Sequence, residues 1–107
     1  MTETARQQAT SVHHLENGLT RVTEWRFAPG AETGDHVHDY SYVIVPLTAG
    51  TLRLEHPDGS VTEADLVPGR SYCRAAGTSH NVINASDTDL AFVEVEFLDA
   101  PIGNPRC

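Results

Sequence analysis

Thr51-Leu52-Arg53-Leu54-Glu55-His56-Pro57-Asp58-Gly59-Ser60-Val61-Thr62-Glu63-Ala64-Asp65-Leu66-Val67 is the stretch from which the fold is read. Apolar and polar residues alternate from Thr51 to His56, so Leu52 and Leu54 fall on one face, as a half-buried strand requires. Pro57-Asp58-Gly59 then supplies a pre-set φ, a side chain that bonds its own backbone and a residue free to take positive φ. Val61–Val67 returns as the partner strand of a hairpin.

The same pattern continues outward in both directions. Upstream, Tyr42–Leu47 is a β-branched run that ends before Thr48-Ala49-Gly50, and Leu19–Ala28 alternates and closes on Pro29-Gly30. Downstream, Pro68-Gly69 makes a turn, and Ser71–Arg74, His80–Asn84 and Leu90–Phe97 read as short strands. No helical period runs beyond the N-terminal segment. Short strands at regular spacing with Gly/Pro punctuation predict an all-β sandwich or barrel. We expect one domain over residues 18–98, a weakly ordered arm over 1–17 and an irregular tail over 99–107, where Pro101, Gly103 and Pro105 cluster. A core this small is often completed by dimerisation, so a homodimer is expected.

The chain has 15 acidic and 7 basic residues, a formal net charge of −8, and every basic residue is Arg. An acidic surface with no basic cluster argues against nucleic acid as a partner. The longest apolar run, Val43–Leu47, is interrupted by Pro46 and is far too short to span a membrane. Residues 1–12 show no apolar leader segment, so a cytoplasmic location is expected. Cys73 and Cys107 form no spaced framework. In a reducing compartment both are expected to stay free, with Cys73 a buried inert thiol and Cys107 open to intermolecular links.

His36-Val37-His38 is the sharpest local feature. In a strand, residues i and i+2 point to one face, so two imidazoles converge at a spacing that suits one metal ion. Two unrelated surface histidines beside a turn would leave the same signature. His80, after Gly77-Thr78-Ser79, reads either as a third ligand or as a hydrogen-bonded structural residue.

Taken together, these features resemble the cupin superfamily. Its first motif, G-x5-H-x-H-x3–4-E-x6-G, is matched by Gly30, His36, His38 and Gly50. Its second, G-x5-P-x-G-x2-H-x3-N, is matched by Gly69, Gly77, His80 and Asn84. The resemblance covers residues 18–98 and implies a jelly-roll β-barrel, the double-stranded β-helix. It also implies that His36, His38 and His80 are metal ligands. Two positions depart from the pattern. Ala75 replaces a turn-stiffening Pro, and the first motif's Glu is replaced by Tyr42 or Val43, depending on spacing. The implied site therefore has three His and no carboxylate, as in thiol and β-diketone dioxygenases of this superfamily. It is either a centre with its full charge and open positions or a degraded one. The metal expected is one divalent transition ion, iron first, with Zn, Ni or Mn as alternatives.

Around that centre, Tyr42 is the candidate proton-transfer residue, by likeness to cupin lyases with a tyrosine near the metal; Tyr40 reads as an ordinary strand aromatic. Arg74, Arg26 and Tyr72 are candidate substrate contacts, the arginines as carboxylate clamps if they face inward and as surface ion pairs if they do not. Glu94 and Glu96 share a face opposite Val93 and Val95 and are expected to face solvent; facing inward, one of them could replace the missing carboxylate ligand. Gly30, Gly50, Gly69, Gly77 and Asn84 are read as structural motif positions. The expected function is that of a non-haem iron dioxygenase-like enzyme acting on a small organic acid or amino-acid-derived metabolite, with a small anionic molecule as partner. A metal-dependent lyase or isomerase and a non-catalytic binding cupin are the alternatives. The stretches 42–48 and 76–84 are also similar to small bacterial cupins linked to β-alanine or amino-acid degradation, which names a pathway and no reaction.

Overall fold

The structure, a computed structural model, describes residues 6–107 and has no helix among them. Nothing among the described residues is therefore a helix able to cross a membrane. The strands are β1 (Thr10–Glu16), β2 (Thr20–Phe27), β3 (His36–Val37), β4 (Tyr40–Pro46), β5 (Gly50–Glu55), β6 (Val61–Leu66), β7 (Tyr72–Arg74), β8 (Ser79–Asn84) and β9 (Leu90–Pro101). They build two antiparallel sheets, ordered β1-β2-β9-β4-β7 and β3-β8-β5-β6.

The hairpin read from the sequence is β5–β6, with Leu52 opposite Ala64 and Leu54 opposite Thr62. Leu52, Leu54, Leu66 and Val82 of the four-stranded sheet meet Phe27, Ile44, Leu90 and Phe92 of the other in one core. The Phe27 and Phe92 rings lie 5.5 Å apart. Two motif positions close this end of the barrel. Gly50 has no space for a side chain, because a Cβ there would stand 2.7 Å from Ser86 Oγ and 2.8 Å from Leu90 Cδ1. Asn84 is buried; its amide donates to the carbonyls of Phe27 (3.2 Å) and Thr88 (2.9 Å), and its Oδ1 accepts from Ser86 N.

Three expectations are corrected. Thr10–Glu16, placed in a weakly ordered arm, is an edge strand that pairs with β2 from Thr10↔Arg26 to Glu16↔Arg21. It is exposed along its whole length, so backbone pairing rather than an apolar face defines it. Residues 1–5 of that arm lie outside the described residues. At the other end β9 runs on to Pro101, and the segment after it folds back onto β4, where Arg106 N donates to Ser41 Oγ at 3.0 Å. That return brings Cys107 to Cys73, with Cα atoms 5.7 Å apart, in a disulfide. Cys73 is exposed rather than buried.

Candidate metal centre

His36 and His80 are direct cross-strand partners in the β3–β8 pair, which sends both side chains to one face. His38 lies where the chain leaves β3 and crosses to β4 in the opposite sheet. Its backbone is clamped on both sides. His38 N donates to Thr78 O at 2.9 Å, and Gly77 N donates to His38 O at 2.7 Å. The turn that makes this clamp needs Gly77 at φ +90°, a value that disfavours any Cβ.

The three imidazoles converge through Nε2, with His36–His38 at 3.0 Å and His38–His80 at 3.1 Å. Among the described residues this is the group placed to hold a metal ion. Hydrogen bonding alone serves it poorly. His36 Nδ1 sits 2.8 Å from the Gly34 carbonyl, so Nδ1 carries a proton, which in a neutral ring leaves Nε2 a bare lone pair. A single proton on His38 or His80 serves only one of the two close contacts well. A cation at the centre serves all three nitrogens. Neighbouring cis ligands at about 2.1 Å from a metal stand about 3 Å apart, which matches both measured spacings. Burial, with the neighbouring histidines adding to it, pushes His38 down to about 3 and His80 down to about 4. Both rings are thus held in the neutral form that a metal requires.

Several residues that support the centre were not singled out from the sequence. Asn81 is buried; its Oδ1 accepts from Gly34 N at 2.9 Å, and its amide donates to Glu32 at 2.9 Å. It therefore fixes the turn whose carbonyl orients His36. Thr33 Oγ1 lies 3.3 Å from His36 Nδ1 and accepts from Val82 N at 3.2 Å. Tyr42, named from the sequence as a proton carrier, adds a support of another kind: its ring stacks on His38, with centroids 3.9 Å apart and planes at 21°.

The centre opens into a cavity of about 250 Å³. Its far wall is the inner face of the five-stranded sheet, and strand register sorts that wall into rows. Arg21, Glu96, Tyr42 and Arg74 form one row; Thr23, Glu94, Ile44 and Tyr72 the next; Trp25, Phe92 and Pro46 the third. The wall thus grades from charged to apolar. Tyr42, Tyr72 and Arg74 line the cavity as candidate contacts, with the Arg74 guanidinium 4.8 Å from the Tyr72 ring centroid. Arg26 does not: it has outward parity and pairs with Glu24. Tyr40 lies before a bulge in the β4–β9 ladder and meets Arg21 instead.

Two electrostatic expectations change. Glu94 and Glu96 face the cavity, because Phe92 at the same parity belongs to the core and Val93 and Val95 take the outer face. Phe92 was the signal in the sequence that could have shown this. Neither Glu belongs to the group of converging ligand atoms, so neither supplies the absent carboxylate ligand. Burial, reinforced by Glu96, pushes the Glu94 carboxyl up to about 7. Tyr42 does line the cavity, but burial and the Glu94 charge push its phenol up, away from service as a base.

An all-β barrel carrying three convergent histidines at these motif positions defines a class, and the chain belongs to the cupin family: the profile described as a cupin domain matches residues 23–96. It is 56% identical over 91 residues to the β-alanine degradation protein BauB of Pseudomonas aeruginosa, which covers 85% of this chain and 95% of that protein. The crystal structure of a cupin domain from Bordetella pertussis is 47% identical, with a TM-score of 0.85, covering 89% of this chain and 98% of that one. The polyketide cyclase RemF of Streptomyces resistomycificus shares the fold at 21% identity, with a TM-score of 0.64 over 92% of this chain and 72% of its own.

Proposed function

We propose that this chain is a metal-dependent cupin enzyme acting on a small anionic metabolite derived from an organic or amino acid. The carrying observation is the set of three convergent Nε2 atoms, 3.0 and 3.1 Å apart, lining one cavity. One divalent transition metal, iron first among Fe, Zn, Ni and Mn, fits that donor set. When bound it supplies Lewis acidity and, as iron, oxygen chemistry. Three neutral ligands leave the ion's charge uncompensated, which favours an anionic ligand. The chain's own residues do the rest. Trp25, Ile44, Leu52 and Phe92 exclude bulk water from the cavity floor, and Arg74 at the charged end meets incoming anions. The name of the Pseudomonas relative supports an amino-acid-derived metabolite. A dioxygenase-like reaction is the first reading, by likeness of the three-His donor set to the dioxygenases of this superfamily; a metal-dependent lyase or isomerase is the alternative.

The same proposal includes a cytoplasmic location and a homodimer. The latter is supported by the outer face of the five-stranded sheet, where partly exposed Val22, Val43, Val45, Val93 and Val95 lie in adjacent rows. Metal analysis of protein purified with Fe, Zn and Ni available, followed by oxygen uptake on small carboxylic and amino acids, tests the enzyme reading. Stoichiometric metal that is lost in His36→Ala, His38→Ala and His80→Ala is the expected result. Wild-type protein without stoichiometric metal overturns it. Sedimentation equilibrium tests the dimer: a monomer at micromolar concentration ends that part of the proposal.

A further inference from the structure

Glu94 stands in the middle row of the cavity wall, between the charged row and the apolar one. Its carboxyl accepts no hydrogen bond from any described side chain or backbone group, and no guanidinium pairs with it. Arg21 bonds Glu16 at 2.8 Å and reaches Glu96 at 3.4 Å. Arg26 pairs with Glu24 on the outer face, and Arg74 lies over Tyr72. A carboxyl so placed, half-buried with Phe92 and Ile44 beside it and its oxygens open only to the cavity, is partly desolvated and has no partner from the protein. Proteins keep such groups where a ligand completes them.

The cavity is therefore polarised. A metal on His36, His38 and His80 would put positive charge on one side of the cavity, while Glu94, with Glu96 in the next row, puts carboxylate on the five-stranded wall that faces it. A ligand with the opposite polarity, anionic at one end and cationic at the other, complements both. The apolar residues that also line the cavity (Ile44, Leu52, Leu54, Phe92) suit a short aliphatic chain. We propose that Glu94 binds the ammonium group of a small ω-amino carboxylate whose carboxylate end meets the histidine centre. This rests on the metal reading of the previous section and narrows its ligand to a zwitterion.

Titration calorimetry on the metal-loaded protein at pH 8 tests the idea. The probes are straight-chain ω-amino carboxylates with two to five methylene carbons and, at each length, the fatty acid of the same chain. A charge-assisted hydrogen bond is worth about 1.5–3 kcal/mol, so at the best length the amino acid should bind about 10- to 100-fold more tightly than its fatty acid. Glu94→Gln should remove most of that preference without changing metal content. The wild-type comparison stands alone if the variant does not fold. Equal or tighter binding of the fatty acids at every length overturns the inference, as does the absence of binding by any member of the series. A preference that survives in a folded Glu94→Gln variant overturns it too. Metal stoichiometry, measured first, separates the two failures. Protein that takes up metal but shows no preference loses only this inference, whereas protein that takes up no metal loses both readings.

Discussion

Replacing Tyr42 by Phe and, separately, by Ala divides its ring from its hydroxyl. The ring is 2% exposed and stacks on His38 at 3.9 Å. Tyr42→Ala empties a fully packed aromatic site, which costs about 3–5 kcal/mol of stability. It also frees one face of His38. Loss of a contact that orients a ligand lowers metal affinity about 10- to 100-fold, or about 1.4–2.7 kcal/mol. Tyr42→Phe keeps the stack and the volume. The hydroxyl makes no hydrogen bond among the described residues, so the change should stay within about 0.5 kcal/mol. Metal affinity should be unaltered, and so should turnover on any substrate found. Urea unfolding of metal-free protein gives the first quantity, and competition with a chromogenic chelator gives the second. If Tyr42→Phe loses as much metal or activity as Tyr42→Ala, the hydroxyl matters and the stacking argument is wrong. Wild-type metal affinity in Tyr42→Ala refutes it equally.

Asn81→Ala should lower metal affinity about 10- to 100-fold, because Gly34 then loses the bond that fixes the carbonyl orienting His36; unchanged chelator competition would contradict this. Glu94 gives a pH signature. Its folded pKa, about 7, lies above its ordinary 4.5, so its contribution to stability is complete below 4.5 and is lost as pH rises through about 7. The groups facing it are Glu96 on its own strand, Arg21 on β2, Tyr42 on β4, and Tyr72 and Arg74 on β7. Metal-free wild type should therefore lose up to about 3 kcal/mol relative to Glu94→Gln between pH 4.5 and 8, and parallel unfolding curves across that range would refute the burial argument. For the disulfide, protein purified without reductant should titrate with no free thiol. Reduction or Cys73→Ser should cost up to roughly 3–4 kcal/mol, the loop-closure value for a separation of 34 residues. Two free thiols in native, unreduced protein would show that the link does not form.

What the sequence revealed was whatever depends on local period and turn chemistry. Leu52 and Leu54 declared their face by alternation, and Pro57-Asp58-Gly59 declared the reversal between β5 and β6. The histidines were legible because motif spacing stood in for the register that puts His36 opposite His80. Features set by tertiary context were not. Strand β1 buries no face, so it leaves no hydrophobic period. Glu94 and Glu96 alternate with valines, and alternation names two faces without saying which is inside. The inward place of Tyr42 is of the same kind, since the chain changes sheets between His38 and Tyr42 and the strand parity of His36 and His38 does not reach it. The Cys73–Cys107 contact depends on the return of residues 102–107 across β4, which no local pattern encodes.

Consider where the cavity's parts originate. His36 and His80 belong to the four-stranded sheet, and His38 is clamped to the turn before β8. Glu94, Glu96, Tyr72 and Arg74 all belong to the five-stranded sheet. One leaf of the barrel carries the histidines that could hold a metal, and the other carries the charged and aromatic side chains of the proposed ligand wall. A change at Glu94, Glu96, Tyr72 or Arg74 touches none of the hydrogen bonds that hold the histidines; the links from that leaf are the Tyr42 stack on His38 and the bond from Ala76 N to Ser41 Oγ. Descendants of such a barrel can exchange one small molecule for another without first rebuilding their metal site, and the same freedom is open to anyone redesigning it.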